Sequence, residues 1–486
     1  MAYAAAASSP RQADDAQQAQ LPHVVIFPFM AKGHTIPLIQ LAHLLRHRQL
    51  ATVSFLTTPG NAAFVRAALS GADDVSVVEL PFTDHAIPGA PPAVECVEAL
   101  DSLSSLPAFV EAVSALRPRF EQALAAMRPT ASVVVTDPFL YWAHAAAAGL
   151  GVRTLSFFVT SMFAYVIREV CVSDNPAAVL SSGGAVFTVP QFPHIRLALA
   201  DMPVPYDDPT LPGRNREMES KVGKAIADSQ GFIVNTFDAM ESQYIEHWNR
   251  HVGPRAWPVG PLCLTRSTPP SAHGGTPAWM RWLDEKAAAG RAVLYVAFGT
   301  LMALPEAQLR ALADGLEQSG LDFLWVVRPM DVVLPSGFVE RVRGRAMVVR
   351  EWVDQWAILG HECVKGFFSH CGWNSTLESI SAGVPLATWP ISAEQPLNAK
   401  LIAEELGIGL KVSARNVAGG LVSSKEIAAV VRELIAGEKG EETARNAAAM
   451  AAKAREAVAE GGSSWKALQE LINGLNRPGD DASMEV

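Results

Sequence analysis

The sequence predicts an α/β protein made of two doubly wound, Rossmann-like units whose parallel sheets face a shared cleft. Three observations predict it. Short apolar runs alternate with helical stretches along almost the whole chain. Each run is uninterrupted, as strands covered on both faces require. The alternation breaks once, at Leu264–Pro277, where LTRSTPPSAHGGTP has the composition of a linker. At 486 residues the chain exceeds what one hydrophobic core usually serves, so two domains are expected.

In the first half the expected strands are His23–Phe27, Thr52–Leu56, Val75–Leu80, Val133–Val135, Thr154–Phe158 and Phe232–Val234. In the second half they are Val293–Phe298, Phe323–Val327, Ala346–Val349, Gly366–Ser369, Leu386–Trp389 and Leu410–Val412. Helical stretches such as Leu38–Leu45 and Glu306–Ser319 fall between them, which predicts parallel sheets with helices on both faces. Pro190–Arg216, rich in Pro and Asp, reads as a long surface loop. A Gly-Gly-Ser-Ser turn precedes a last helix, Trp465–Leu475. The expected division is a disordered tail over 1–22, a first domain over 23–263, a linker over 264–278 and a second domain over 279–460. A final segment, 461–486, holds the last helix and a tail from Arg477.

Composition narrows the function. Hydrophobic residues make up 49% and charged residues 18%, the reverse of a disordered chain. A net charge of −10 without a basic run argues against nucleic acid as a partner. An anionic ligand would then need backbone N–H groups and a few placed side chains. The scattered cysteines Cys96, Cys171, Cys263, Cys363 and Cys371 fit a reducing compartment, so a cytoplasmic location is expected. No signal peptide and no stretch of about 18 apolar residues is present, so no membrane span is expected.

In open parallel sheets ligands bind beyond the carboxyl ends of the strands, so residues just after each strand carry the chemistry. His34 comes after the first strand, at the start of a helix. An imidazole there has the right pKa range for a general base, although an isolated histidine is more often a packed one. Asp137 ends the fourth strand at the same sheet edge; it suits a carboxylate that orients an imidazole, or equally an N-cap for the helix carrying Trp142 to Gly149. In the second half Gly299-Thr300 ends a strand, with Gly299 allowing close approach of a phosphate. The richest stretch is GFFSHCGWNSTLE, Gly366–Glu378. A strand runs into His370-Cys371-Gly372-Trp373 and then a helix, whose N-terminal N–H groups make an anion site. Ser375 and Glu378 have capping-box spacing, with Asn374 as another possible cap. His361, Cys363, His370 and Cys371 match no metal-ligand spacing, so no metal is expected. The dinucleotide glycine fingerprint, the P-loop and the GxSxG elbow are absent.

The 44 residues from Trp352 to Gln395 resemble the signature box of plant family 1 UDP-glycosyltransferases. The opening tryptophan, HCGWNS, the later glutamate, GVP, TWP and the closing acidic-Gln pair all match. Gly33-His34, Asn235-Thr236-Phe237, Val259-Gly260-Pro261-Leu262, Trp282-Leu283-Asp284 and Trp325-Val326-Val327-Arg328 extend the resemblance over most of the chain. It implies the two-domain GT-B fold, with the last helix returning to the first domain. It implies His34 as the base, paired with Asp137. Trp352 would stack on uracil, with the Val353 backbone and Gln355 near base and ribose, and Glu378 would bind the ribose hydroxyls. His370, Asn374, Ser375 and Thr300 would hold the diphosphate, and Trp373, Glu394 and Gln395 the sugar. The sequence departs from the family in reading Val353-Asp354-Gln355 where Ala-Pro-Gln is usual, and Glu394 where aspartate is common. Gly360, before the first His of the box, is in a variable position.

The resemblance implies an inverting, single-displacement transfer from UDP-glucose to a hydroxyl of a small apolar plant metabolite such as a flavonoid, another phenolic, a terpenoid or a hormone. UDP-glucose is a co-substrate, no cofactor is expected, and a monomer is the family expectation. Gln395 with Trp373 resembles the glucose-preferring version. Asp137-Pro138-Phe139 resembles relatives that glycosylate carbon, which leaves C-glucosylation of a phenolic ring as an alternative. A non-catalytic nucleotide or small-molecule binder, and a nicotinamide oxidoreductase, are the competing classes. Phe29, Phe139, Phe158, Met162 and Phe163 are candidates for an apolar acceptor pocket or for core.

Overall fold

A computed structural model describes residues 21–72, 74–82, 94–100, 103–182, 186–207, 214–265, 275–299, 304–327, 332–412 and 421–475. In chain order the strands of the first half are β1 His23–Phe27, β2 Thr52–Thr57, β3 Ser76–Glu79, β4 Val133–Thr136, β5 Arg153–Phe158, β6 Phe187–Thr188, β7 Arg196–Leu197, β8 Phe232–Val234 and β9 Ala256–Pro258. Those of the second half are β10 Val293–Ala297, β11 Asp322–Val326, β12 Ala346–Val349, β13 Val364–Ser369, β14 Leu386–Thr388 and β15 Gly409–Lys411.

The first half forms a seven-stranded sheet in the order β3-β2-β1-β4-β5-β8-β9, and the second a six-stranded sheet in the order β12-β11-β10-β13-β14-β15. Pairing is parallel throughout both sheets. The reason is visible in β1 and β10, whose five residues are all buried, so each needs helices on both faces. Each sheet reverses its winding next to a central strand, β1 or β10. The segments leaving those two strands therefore open onto the switch points.

Every strand expected from the apolar runs is present, with ends shifted by a residue or two. Sequence reading missed β9, because Ala256-Trp257-Pro258 is short and contains proline. As the edge strand of its sheet, β9 tolerates a residue with no N–H to donate. The expected surface loop at Pro190–Arg216 is corrected where it is described. Phe192, Ile195, Leu197 and Met202 are buried, and β7 pairs antiparallel with β6. Asp201 in this stretch meets the buried Lys400 of the second half at 3.3 Å.

The two halves share an apolar cluster that runs from Met162, Tyr244 and Trp248 to Trp279, Trp373 and Leu397. The helix Ser463–Leu475 buries Leu468, Leu471, Ile472 and Leu475 against Val24, Leu41, Leu45 and Val133 of the first half. Ser464 Oγ donates to the Gly260 carbonyl at 2.6 Å, and Arg153 Nη2 to the Leu475 carbonyl at 2.5 Å. All five cysteines are free. Among the described residues no helix is long and apolar enough to cross a membrane. The terminal tails, Thr300 and 266–274 of the linker lie outside the described residues.

Candidate active site

His34 is the third residue of the helix Lys32–His47, separated from the end of β1 by the four residues 28–31. Its Nδ1 lies 2.6 Å from Asp137 Oδ2, and Asp137 comes directly after β4, the neighbour of β1. Register does the positioning: Phe27 pairs with Thr136, so the residues beyond them emerge side by side. Asp137 does not cap the helix that follows, which spans Ala143–Ala148 with Trp142 as its N-cap. Its other oxygen accepts the Phe139 N–H at 3.0 Å, which fixes the carboxylate plane. A carboxylate only accepts, so Nδ1 carries the proton and Nε2 is the basic atom.

The His34 side chain is 17% exposed and that of Asp137 is fully buried. Burial by itself would lower the imidazole pKa. The Asp137 charge and hydrogen bond, helped by Glu394 and Glu98, outweigh burial and raise it above the ordinary value. The rings of Phe29, Phe139 and Phe158 surround His34 at centroid distances of 5.6, 5.5 and 6.1 Å. Met162 and Phe163, the other two pocket candidates, are fully buried within the shared cluster.

An Asp137→Asn substitution is therefore expected to move the acidic limb of kcat/KM to lower pH, because the remaining effect of burial favours neutral imidazole. The plateau is expected to fall, because an amide no longer stabilises the imidazolium. A pH–rate profile of both proteins checks the two effects together.

The second half supplies a polar cluster at the facing switch point. Gln355 Nε2 donates to Ser375 Oγ at 3.0 Å and to Glu378 Oε2 at 2.6 Å, and Tyr295 OH donates to Gln355 Oε1 at 3.1 Å. Three residues singled out in the sequence thus meet, together with Tyr295, which reads as plain strand core. The capping-box reading of Ser375 and Glu378 is corrected. Helix Trp373–Ala382 begins after Gly372, Ser375 and Glu378 lie inside it, and both face Gln355. Asp354, where the family usually has proline, caps the helix Gln355–Leu359 by accepting the Ala357 N–H at 3.3 Å. Val353 is buried.

Gly299 has φ +77°, and a Cβ there would lie 2.9 Å from His370 Nε2; one on Gly372 would lie at 2.5 Å. Two glycines therefore make room for His370 between β10 and β13. Burial pushes the imidazole down to about 4, so it stays neutral at physiological pH. Its Nδ1 is buried without a well-formed hydrogen bond, backed by the Ala297 carbonyl. Thr300 lies outside the described residues.

Three contacts join the halves around this cluster. Asn374 Nδ2 donates to the Gly33 carbonyl at 2.6 Å, one residue from His34. Trp373 Nε1 donates to the Asn235 carbonyl at 2.9 Å, so the indole is a buried bridge and its N–H is committed there. Lys32 Nζ sits 4.8 Å from the Trp352 ring centroid, and Trp352 is 52% exposed. Glu394 accepts from Asn398 Nδ2 at 3.3 Å, and Gln395 Oε1 accepts the N–H groups of Ile391 and Ser392 at 2.9 and 3.0 Å. Sequence reasoning passed over Lys32, Glu98, Asn235 and Asn398. For Asn235 the shared Asn-Thr-Phe triplet was the available signal. The other three gave none.

Among the described residues no three His, Cys, Asp or Glu side chains cluster as metal ligands would. The arrangement sets an imidazole, paired with a buried carboxylate, inside an aromatic wall.

Comparison with known proteins agrees with this layout. Residues 278–450 match the family model described as UDP-glucoronosyl and UDP-glucosyl transferase. The chain is 42% identical to UDP-glycosyltransferase 90A1 of Arabidopsis thaliana, over 94% of this chain and 97% of that protein. A Glycyrrhiza uralensis UDP-glycosyltransferase solved with glycyrrhetinic acid 3-O-monoglucuronide superposes with a TM-score of 0.83 at 28% identity, covering 94% of this chain and 96% of the other. A Phytolacca americana enzyme solved with UDP-2-fluoro-glucose and pterostilbene gives 0.77 at 29% identity, covering 94% and 99%. The sheets, the His34–Asp137 pair beyond adjacent strands and these similarities together place the chain in the plant UDP-glycosyltransferase family, as an enzyme of the GT-B fold.

Proposed function

We propose that the enzyme transfers glucose from UDP-glucose to a hydroxyl of a small, largely apolar plant metabolite, with inversion at the anomeric carbon. The observation that carries this reading is the 2.6 Å contact between His34 and Asp137 inside the wall of Phe29, Phe139 and Phe158. Such a wall suits an aromatic or terpenoid body and leaves its hydroxyl beside Nε2. His34 takes the hydroxyl proton as that oxygen bonds to the anomeric carbon. The bond to the β-phosphate oxygen breaks on the opposite face, and UDP leaves with the electron pair. Charge developing on UDP is met by the N-terminus of helix Trp373–Ala382, a stabilisation that acts most in the transition state. The Phytolacca relative, solved with a fluorinated UDP-glucose and a stilbene, supports both the donor and the acceptor class.

Product identification by mass spectrometry, after incubation with UDP-glucose and a mixed acceptor library, tests the proposal. UDP-galactose, UDP-xylose and UDP-glucuronic acid run as competing donors. A glucoside is the expected product, and faster transfer from another donor would overturn the glucose assignment. Trp352→Ala is expected to weaken UDP binding by about 5–150-fold, the equivalent of roughly 1–3 kcal/mol of base stacking. Titration calorimetry reads that loss directly.

A further inference from the structure

Asn398 sits three residues beyond Gln395 in the helix Gln395–Lys400, with no exposed surface. Its amide makes three hydrogen bonds to three different parts of the site. Oδ1 accepts the hydroxyl of Ser161 from the first half, at 2.8 Å. One N–H of Nδ2 goes to the carbonyl of Cys371 at 3.0 Å, and the other to Glu394 Oε1 at 3.3 Å. Both amide hydrogens are used, as a buried amide requires.

Each partner has its own reason to need fixing. Ser161 is the N-cap of the helix Met162–Asp174 and accepts the Ala164 N–H at 3.0 Å, so its hydroxyl proton is free to point at Asn398. That helix begins shortly after Phe158, part of the aromatic wall around His34. Cys371 has φ +64°, a left-handed conformation that a β-carbon disfavours, and its own N–H is held by Ser369 Oγ at 3.1 Å, so the turn into helix Trp373–Ala382 does not depend on Asn398 alone. Glu394 comes after Ala393, itself at φ +54°, and its charge is felt at His34. The hydrogen bonds run in one direction, from the Ala164 N–H through Ser161 to Asn398, and from Asn398 to Cys371 and Glu394. Such a chain has no second arrangement of equal satisfaction, because reversing the amide would set its N–H groups against the Ser161 proton and its oxygen against two acceptors.

We infer that Asn398 is a positioning residue that orients the Glu394 carboxylate toward the transferred sugar and couples it to the acceptor-side helix through Ser161. The inference rests on the proposed transfer of a UDP-linked sugar, and within that reading it assigns how donor and acceptor sites hold one geometry. Asn398→Asp keeps the shape but sets a second carboxylate against Glu394 Oε1 and the Cys371 carbonyl. Asn398→Leu keeps bulk and removes every hydrogen bond.

The test is a double-substitution cycle with Glu394→Ala, read as kcat and KM for UDP-glucose and as the Kd of UDP alone. Wild-type transfer is measured first; if UDP-glucose is no donor, the proposed function fails and not this inference. With wild-type transfer established, Asn398→Leu and Asn398→Asp are each expected to lower kcat/KM for UDP-glucose by at least 10-fold. The Kd of UDP, which lacks the sugar, is expected to stay within about twofold. In the Glu394→Ala background Asn398→Leu is expected to cost less than threefold more, because the group it positions is already gone. Ser161→Ala is expected to raise the acceptor KM and lower kcat while leaving UDP affinity unchanged. Additive losses in the cycle, or UDP affinity falling in parallel with kcat/KM, would reduce Asn398 to a packing residue and overturn the inference.

Discussion

His34→Ala is expected to lower kcat for an ordinary alcohol or weakly acidic phenol by about 10²–10⁴-fold, the usual worth of a positioned general base. UDP affinity is expected to persist, because the cluster of Gln355, Ser375 and Glu378, which the proposed function assigns to the nucleotide, lies on the other half of the chain. The physical reason is specific to this environment. Asp137 and the two further carboxylates hold the imidazole at a raised pKa, which makes it a stronger base. A weakly acidic hydroxyl needs that basicity, whereas a strongly acidic phenol is already ionised and bypasses it. The measurement is therefore kcat at saturating UDP-glucose across acceptors of rising acidity. The loss should shrink as the acceptor becomes more acidic. A small, uniform loss across the series would remove His34 from proton transfer.

The second large effect concerns the fold. Trp373→Ala is expected to destabilise the protein by about 3–5 kcal/mol, the range for truncating a large buried aromatic. Trp373 is 2% exposed, packs in the cluster shared by the halves, and donates its indole N–H to the Asn235 carbonyl across them. Removing it opens a cavity and leaves that buried carbonyl without its donor. Trp373→Phe separates the two contributions: it keeps most of the bulk and is expected to cost about 1–3 kcal/mol from the lost donor. Urea unfolding followed by circular dichroism reads both. A loss under about 1 kcal/mol for the alanine variant would show that the bridge carries little of the stability, since burial of this size normally contributes more.

Much of the fold is legible in the sequence because strands buried on both faces must be apolar without interruption. Val293–Ala297 and Phe232–Val234 announce themselves for that reason. Strand β9 does not, because an edge strand of three residues can include Pro258 and loses the signal. The stretch Pro190–Arg216 misleads for the opposite reason. Its prolines and aspartates read as solvent-facing, while Phe192, Ile195 and Leu197 supply an apolar face too irregular to show a period. At the site, His34 and Asp137 are readable from strand ends, because a parallel register brings the first residues beyond adjacent strands to one edge. The pattern Ser375-x-x-Glu378 fits a capping box and a ligand cluster equally, and only the position of Gly372 as the cap decides between them. Asn398 carries no pattern, since a buried amide is defined by partners that lie far away in the chain.

The docking of helix Ser463–Leu475 on the first sheet has a consequence for biosynthesis. The apolar surface of Val24, Leu41, Leu45 and Val133 is synthesised early, yet the segment that covers it comes only after the whole second half. At roughly 5–20 residues per second, that surface stays uncovered for tens of seconds while the second half is translated. Ending the chain ahead of this helix would make that exposure permanent, so a nonsense codon before Ser463 should yield an aggregating product even though every residue of the cleft has been made.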